Sequence, residues 1–378
     1  MHPFEITKQV VCRAVEEGLT PSICFAAGIG DETMVKVCRG RVSILEGAEE
    51  VTETTMYDMA SLTKLMGPTM IALRLMQRGI LDLADTLPRF FGDLVPEDKR
   101  EISVYHLMTH TAGFLPSVRM DKLFKDPDKV LPYLMSSPLQ SPPGTQVAYS
   151  CLGYIVLGKA LEVLTGLPLD ELAVKEVFGP LHMKDTGYHR LTGTYTTEHT
   201  AYTERSSFDD GWLVGRVHDE NAFLLEGVSG NAGIFSNLND CIRFARMLSC
   251  GGKLEGERYL SNTILRAAMQ DQTSWTDNHK GLGFDLSGAW NSTCGMFFSP
   301  QAAGHTGFTG TTLYIDPSRT PSPWLVMLSN RVHPTRDNAN MPRIRRTVMA
   351  ALRADMDALL EERAEMKERE GNCHADID

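Results

Sequence analysis

Apolar residues recur at helical spacing from about Ile6 to Gly18, with Lys and Glu between them, which predicts an amphipathic helix. Two β-rich runs follow, ICFAAGIG and MVKVCRG, and the turn-prone Asp31 and Glu32 between them predict a hairpin. In MYDMASLTKLMGPTMIALRLMQRGIL, the positions Leu65, Met66, Met70, Ile71, Leu73, Leu75 and Met76 suit a helix that ends at Gly79, with a turn or kink at Pro68. Residues 80–225 are rich in helical segments, Pro and Gly, and include the strongly periodic LGYIVLGKALEVLTG closed by Gly166. Beyond them the chain returns to GVSGNAGIFS, a helix NDCIRFARMLSCGG stopped by Gly251, and the strand-like runs TTLYID and WLVMLSN. A last amphipathic helix spans about Ile344 to Leu360 and ends in a charged tail, 363–378.

Strands near both ends of the sequence, helices flanking them and a helical insertion between them predict an α/β fold of the α+β kind. One antiparallel sheet is shared by the N- and C-terminal segments. The expected organisation is a single domain, 1–378, with an α/β lobe of about 1–79 and 226–362, a helical lobe of about 80–225, and the site between the lobes. A chain of 378 residues with 42% hydrophobic content can bury such a core. The net charge of -11 argues against nucleic acid or an anionic membrane as partner and favours a small ligand. The N-terminal segment lacks the unbroken apolar core of a secretory signal, and GYIVLGKALEVL is interrupted by Lys159 and Glu162, short of the roughly 18 apolar residues of a membrane span. These features predict a cytoplasmic protein. The 8 cysteines (12, 24, 38, 151, 241, 250, 294 and 373) contain no CxxC pair and read as reduced thiols.

Ser61 and Lys64 lie where an extended segment turns into a helix, so their side chains share a face one turn apart. A serine hydroxyl is a poor nucleophile until a base takes its proton, and a lysine serves if its surroundings lower its pKa. Taken alone, the pair reads equally as a helix cap followed by a surface lysine.

Further runs change that reading. MASLTK, YHLMTHTAGF, PPGTQVAYSCLGYIVLGKALEVLTG and GHTGFTG together resemble the class C β-lactamase, DD-peptidase and esterase family of the penicillin-binding-protein superfamily, over about Pro21 to Arg346. The resemblance implies a β-lactamase/transpeptidase-like fold, acylation of Ser61, and proton movement by Lys64 and Tyr149. Cys151 replaces the family's asparagine, and a thiol cannot supply both hydrogen bonds of an amide. His305-Thr306-Gly307 resembles the Lys-Thr-Gly triplet at the sheet edge, with histidine mostly neutral where lysine is charged. The implied oxyanion hole is the backbone amides of Ser61 and Phe308. Asn231, in GVSGNAGIF, is a candidate substrate contact. Arg331 follows WLVMLSN at a sheet end, where it is either a partner for a substrate carboxylate or a solvated arginine.

Other candidates are set aside. His110 reads as the end of a helix that organises its loop. The adjacent His218, Asp219 and Glu220 do not converge on one ion, so no metal is implied. Gly28-Ile29-Gly30 is too short for a dinucleotide fingerprint, and no cofactor is expected. LSNRVHP, VHDENA and YSC resemble the branch near cell-wall recycling amidases. The expected function is acyl-enzyme hydrolysis of amide or ester bonds in muropeptides, small esters or β-lactams. The alternatives are a carboxylesterase and a non-catalytic ligand-binding member of the fold. The sequence leaves the oligomeric state open.

Overall fold

Strand β1 (Ser22–Ile29) is buried along nearly its whole length because it is covered on both faces. Ile23, Phe25 and Ala27 pack with Val11 of the helix Glu5–Glu16 and with Ile344, Val348 and Leu352 of the helix Met341–Ala375. Cys24 and Ala26, alternating with them, face the main core. Complete burial of side chains such as Ile23 and Phe25 contributes about 1.5–3 kcal/mol each, so docking against two layers is what holds the hairpin.

The computed structural model describes residues 4–193, 197–207, 210–286 and 298–375. The remaining strands are β2 (Glu32–Gly40), β3 (Tyr57–Asp58), β4 (Gly187–Tyr188), β5 (Ile234–Ser236), β6 (Lys253–Leu254), β7 (Glu257–Arg258), β8 (Asp285–Leu286), β9 (Ala303–Thr306), β10 (Thr312–Ile315) and β11 (Pro323–Ser329). The main sheet has the order β2-β1-β11-β10-β9-β8, and its pairings are antiparallel. Registers from Ile23 opposite Ser329 to Ile29 opposite Pro323 join the two ends of the sequence, as the hydrophobic pattern predicts.

A small sheet, β3-β5-β4, lies beside the segment that carries Ser61. It adjusts the boundary expected for the helical lobe. Gly187–Tyr188 pairs with β5, and Met56 exchanges backbone hydrogen bonds with His199 and Ala201, so the later part of 80–225 returns to the sheet side. Two-residue strands are too short to leave a period-2 signature. The centre of the helical lobe is Cys151–Thr165, whose Leu152, Tyr154, Ile155, Leu157 and Leu161 are all buried. The helix Met341–Ala375 runs well past Leu360, through a segment rich in the helix formers Glu, Ala, Lys and Arg that the sequence reading treats as a tail.

The six cysteines 12, 24, 38, 151, 241 and 250 are free thiols; Cys294 and the side chain of Cys373 lie outside the described residues. Among the described residues no single helix is long and apolar enough to cross a membrane.

Candidate active site

Ser61 is the N-cap of Leu62–Lys64, and the residue before it, Ala60, sits at φ 46. That left-handed conformation is costly for a residue with a Cβ and persists where its surroundings fix it. Here the Ala60 N–H donates to Asp58 Oδ1 at 2.8 Å, Thr309 Oγ1 donates to Asp58 O at 2.7 Å, and Thr311 Oγ1 donates to Met59 O at 3.0 Å. The helix then widens into a π-turn at Leu65–Thr69 around Pro68, which has no N–H to give, and resumes as Met70–Gln77.

Lys64 is fully buried, and its Nζ reaches Ser61 Oγ at 2.9 Å, Asn231 O at 3.0 Å and Cys151 Sγ at 3.5 Å. The Tyr149 ring centroid lies 5.0 Å from that nitrogen. Burial opposes the charge on Lys64, but the acidic groups of Cys151 and Tyr149 and a hydrogen bond with Tyr149 outweigh it and hold the ammonium above the ordinary lysine range. This departs from the lowered lysine that the sequence reading requires of a lysine base. Burial also raises Tyr149, to about 12, against the pull of Lys64 and hydrogen bonds from Lys64 and Ser61. The resting pair is therefore ammonium and phenol.

Tyr149 is held by its neighbours. Ala148 N donates to His110 O at 2.9 Å, Ser150 N to His110 Nδ1 at 3.0 Å, and Cys151 N to Pro116 O at 2.9 Å. The His110 ring lies 4.6 Å from the Tyr149 ring, tilted by 36°, consistent with its reading as a loop organiser.

His305 is buried, with Nδ1 2.8 Å from Thr306 O and Nε2 without a hydrogen-bond partner among the described residues. Burial pushes it down to about 4 against the pull of Asp285, and nearby Lys64 assists. Thr306 ends β9 next to it. Gly307 lies flat against the turn that leads into Ser61: a Cβ there would meet Thr311 Oγ1 at 2.0 Å and Met59 O at 2.5 Å. Among the described residues, neither the Ser61 nor the Phe308 N–H donates to an acceptor. Asn231 is buried; its Oδ1 accepts from Ser229 Oγ at 2.7 Å, and its Nδ2 has no hydrogen-bond partner among the described residues.

Arg331 is placed differently from the carboxylate partner considered in the sequence. Its guanidinium covers the Phe308 ring at 4.2 Å and donates to the carbonyls of Phe308, Arg336 and Asn338. His218 pairs with Glu204 at 3.2 Å and Glu220 with Arg336 at 3.0 Å. A cavity of about 580 Å³ between Leu131, Lys159, Arg190 and Val228 does not include Ser61 among its lining residues, and its two cations are paired, Arg190 with Asp170 and Lys159 with Glu162.

Sequence reasoning missed Lys280 and Asp285. They form a close ion pair across a tight Gly-rich turn, and Lys280 Nζ lies 5.9 Å from the Tyr149 ring centroid. Their signal is weak, a Lys and an Asp bracketing GLGF.

The β-lactamase family model matches residues 8–349. The chain belongs to the β-lactamase family. This family member is 32% identical over 355 residues to the N-acetylmuramyl-L-alanine amidase of Bacillus subtilis (strain 168), covering 82% of this chain and 79% of that protein. It is 32% identical over 319 residues to a provisionally named D-alanyl-D-alanine carboxypeptidase of Escherichia coli (strain K12), covering 77% and 72%. The structure of EstCE1, a hydrolase with promiscuous acyltransferase activity, superposes with a TM-score of 0.75 at 19% identity over 92% of this chain and 98% of that one. The fold is thus that of the β-lactamases and penicillin-binding-protein homologues, and the protein is a serine hydrolase of the β-lactamase/DD-peptidase type.

Proposed function

We propose that this β-lactamase-family protein cleaves an amide bond of peptidoglycan-derived muropeptides through an acyl-enzyme on Ser61. The observation that supports it most directly is the 2.9 Å contact of Lys64 Nζ with Ser61 Oγ, with Tyr149 against the same ammonium. In the reactive form Tyr149 has given its phenolic proton to solvent and stands as a phenolate against the Lys64 ammonium; Ser61 Oγ attacks the carbonyl carbon as its proton passes to that phenolate. The oxyanion is met by the amides of Ser61 and Phe308. Tyr149 then returns the proton to the leaving nitrogen, and a water repeats the sequence in reverse to free the acid. Lys64 remains the fixed cation throughout. Muropeptides as substrates rest on the names of the amidase and carboxypeptidase relatives.

A second reading, a carboxylesterase, is favoured by one observation. Where the family has a charged lysine the site has a neutral His305, and the nearby Lys280 is already paired with Asp285, so attraction for a substrate carboxylate is weak. Intact-mass spectrometry after fluorophosphonate treatment of the wild type and Ser61→Ala, beside turnover of a muramyl-peptide, p-nitrophenyl acetate and nitrocefin, separates the readings. A Ser61-dependent adduct with muramyl-peptide release supports the amidase, and turnover of the ester alone supports the esterase. Absence of both adduct and turnover refutes an activated Ser61 and points to a non-catalytic binding protein.

A further inference from the structure

Arg345 is a buried guanidinium, 7% exposed, and no carboxylate pairs with it among the described residues. An unpaired buried cation is expensive unless its donors are satisfied. Three of its five N–H groups are, by the turn that follows β9 and the first residue of β10. Arg345 Nη2 donates to Gly307 O at 3.1 Å and to Thr311 O at 2.9 Å, and Nε to Thr312 Oγ1 at 2.8 Å. Gly307 O belongs to the same peptide unit as the Phe308 N–H. Binding a cation at the oxygen end of an amide draws electron density from its nitrogen end and strengthens the N–H as a donor.

We infer that Arg345 is a positioning residue of the oxyanion hole, fixing the 307–308 peptide against the nucleophile turn and polarising its N–H toward the charge that develops on the substrate oxygen. The inference rests on the proposed acyl-enzyme chemistry, in which Phe308 supplies one of two donors. Arg331, which donates to the next carbonyl, Phe308 O, at 2.7 Å, secures the other side of the same residue. Both ends of the donor residue are therefore tied to arginines, while its own N–H is left for substrate.

The test compares Arg345→Met, Arg345→Lys and Arg345→Ala with the wild type on p-nitrophenyl acetate, with a boronic acid as the tetrahedral analogue and circular dichroism to establish folding. Loss of part of an oxyanion donor's strength is expected to lower kcat on the order of 10- to 100-fold for Arg345→Met, with KM changed less than about twofold. Boronate affinity should fall in step with kcat/KM, Arg345→Lys should recover part of the loss, and added guanidinium should restore Arg345→Ala. A merely structural arginine would give no parallel between boronate affinity and kcat/KM. If Arg345→Met does not fold, Thr312→Val, which removes one anchor of the guanidinium, is expected to show a smaller loss of the same kind. Folded variants that keep wild-type kcat, or lose it without losing boronate affinity, overturn the inference. Ser61→Ala run alongside separates the two levels: retained turnover there refutes the acyl-enzyme itself, whereas Ser61-dependent turnover with indifferent Arg345 variants refutes only the role of Arg345.

Discussion

Replacing Gly307 by Ala places one methyl group between the turn after β9 and the nucleophile turn. The added Cβ would stand 2.5 Å from Met59 O and 2.0 Å from Thr311 Oγ1, whereas ordinary contact begins at 3.4 Å. The hydroxyl can rotate away, but in doing so it gives up its 3.0 Å hydrogen bond to Met59 O, worth about 1 kcal/mol. The carbonyl is backbone and cannot rotate, so the turn must retreat by about 0.9 Å, the difference between 3.4 and 2.5 Å. Overpacking of this kind costs roughly 1–3 kcal/mol. A retreat of that size also carries the Phe308 N–H out of hydrogen-bond range of an oxyanion held by Ser61 N–H. The expected loss in kcat is therefore about 100- to 1,000-fold, the effect of removing one oxyanion donor. Steady-state kinetics on p-nitrophenyl acetate, with urea unfolding of the same samples, reads both quantities. A folded Gly307→Ala enzyme with kcat within threefold of wild type would show that the turn does not carry an oxyanion donor.

Three further outcomes follow from the charges. Because the resting pair is ammonium and phenol, with both groups raised, acylation by a neutral ester is expected to climb with pH from 6 to 10 without a plateau near 7; a flat profile above pH 7 in stopped-flow measurements contradicts this. His305 is neutral in the fold and titrates near 4, while an unfolded histidine titrates near 6.5, so the unfolded chain binds the extra proton as the pH falls. The stability present above pH 6.5 is then lost between 6.5 and 4, by on the order of 3 kcal/mol from this group, and His305→Gln, followed by urea unfolding at both pH values, should remove most of that difference. Cys151→Asn removes an acidic neighbour that raises Tyr149, so the alkaline rise in rate should move to lower pH, and an unchanged profile would show that Cys151 does not act on the tyrosine.

Much of the architecture follows from periodicity. The first helix, the hairpin, Cys151–Thr165 and the paired strands near the two ends all have long, regular patterns, and the structure contains them. Ser61, Lys64 and Tyr149 were legible through motif order, and they converge in space. What was not legible depends on contacts between segments far apart in the chain. Lys280 and Asp285 look like surface charges until the turn folds them beside Tyr149. Arg345 looks like one of several charges on an amphipathic helix, and only the packing of that helix buries it behind Gly307. Pro68 announced a distortion but not its π-turn form, and Gly187–Tyr188 was too short to register as a strand.

The pairing of β1 with β11 also sets an order of assembly. During synthesis, Ser61, Lys64 and Tyr149 leave the ribosome well before Thr309 and Thr311, which brace the carbonyls of Asp58 and Met59, and before the strand at 323–329 that closes onto 22–29. A nascent chain thus holds Ser61, the nucleophile proposed above, for most of its synthesis without the segments that brace its turn. Hydrolytic competence arrives late and all at once, and the long-range closure that confers it makes folding slow relative to chains with local contacts.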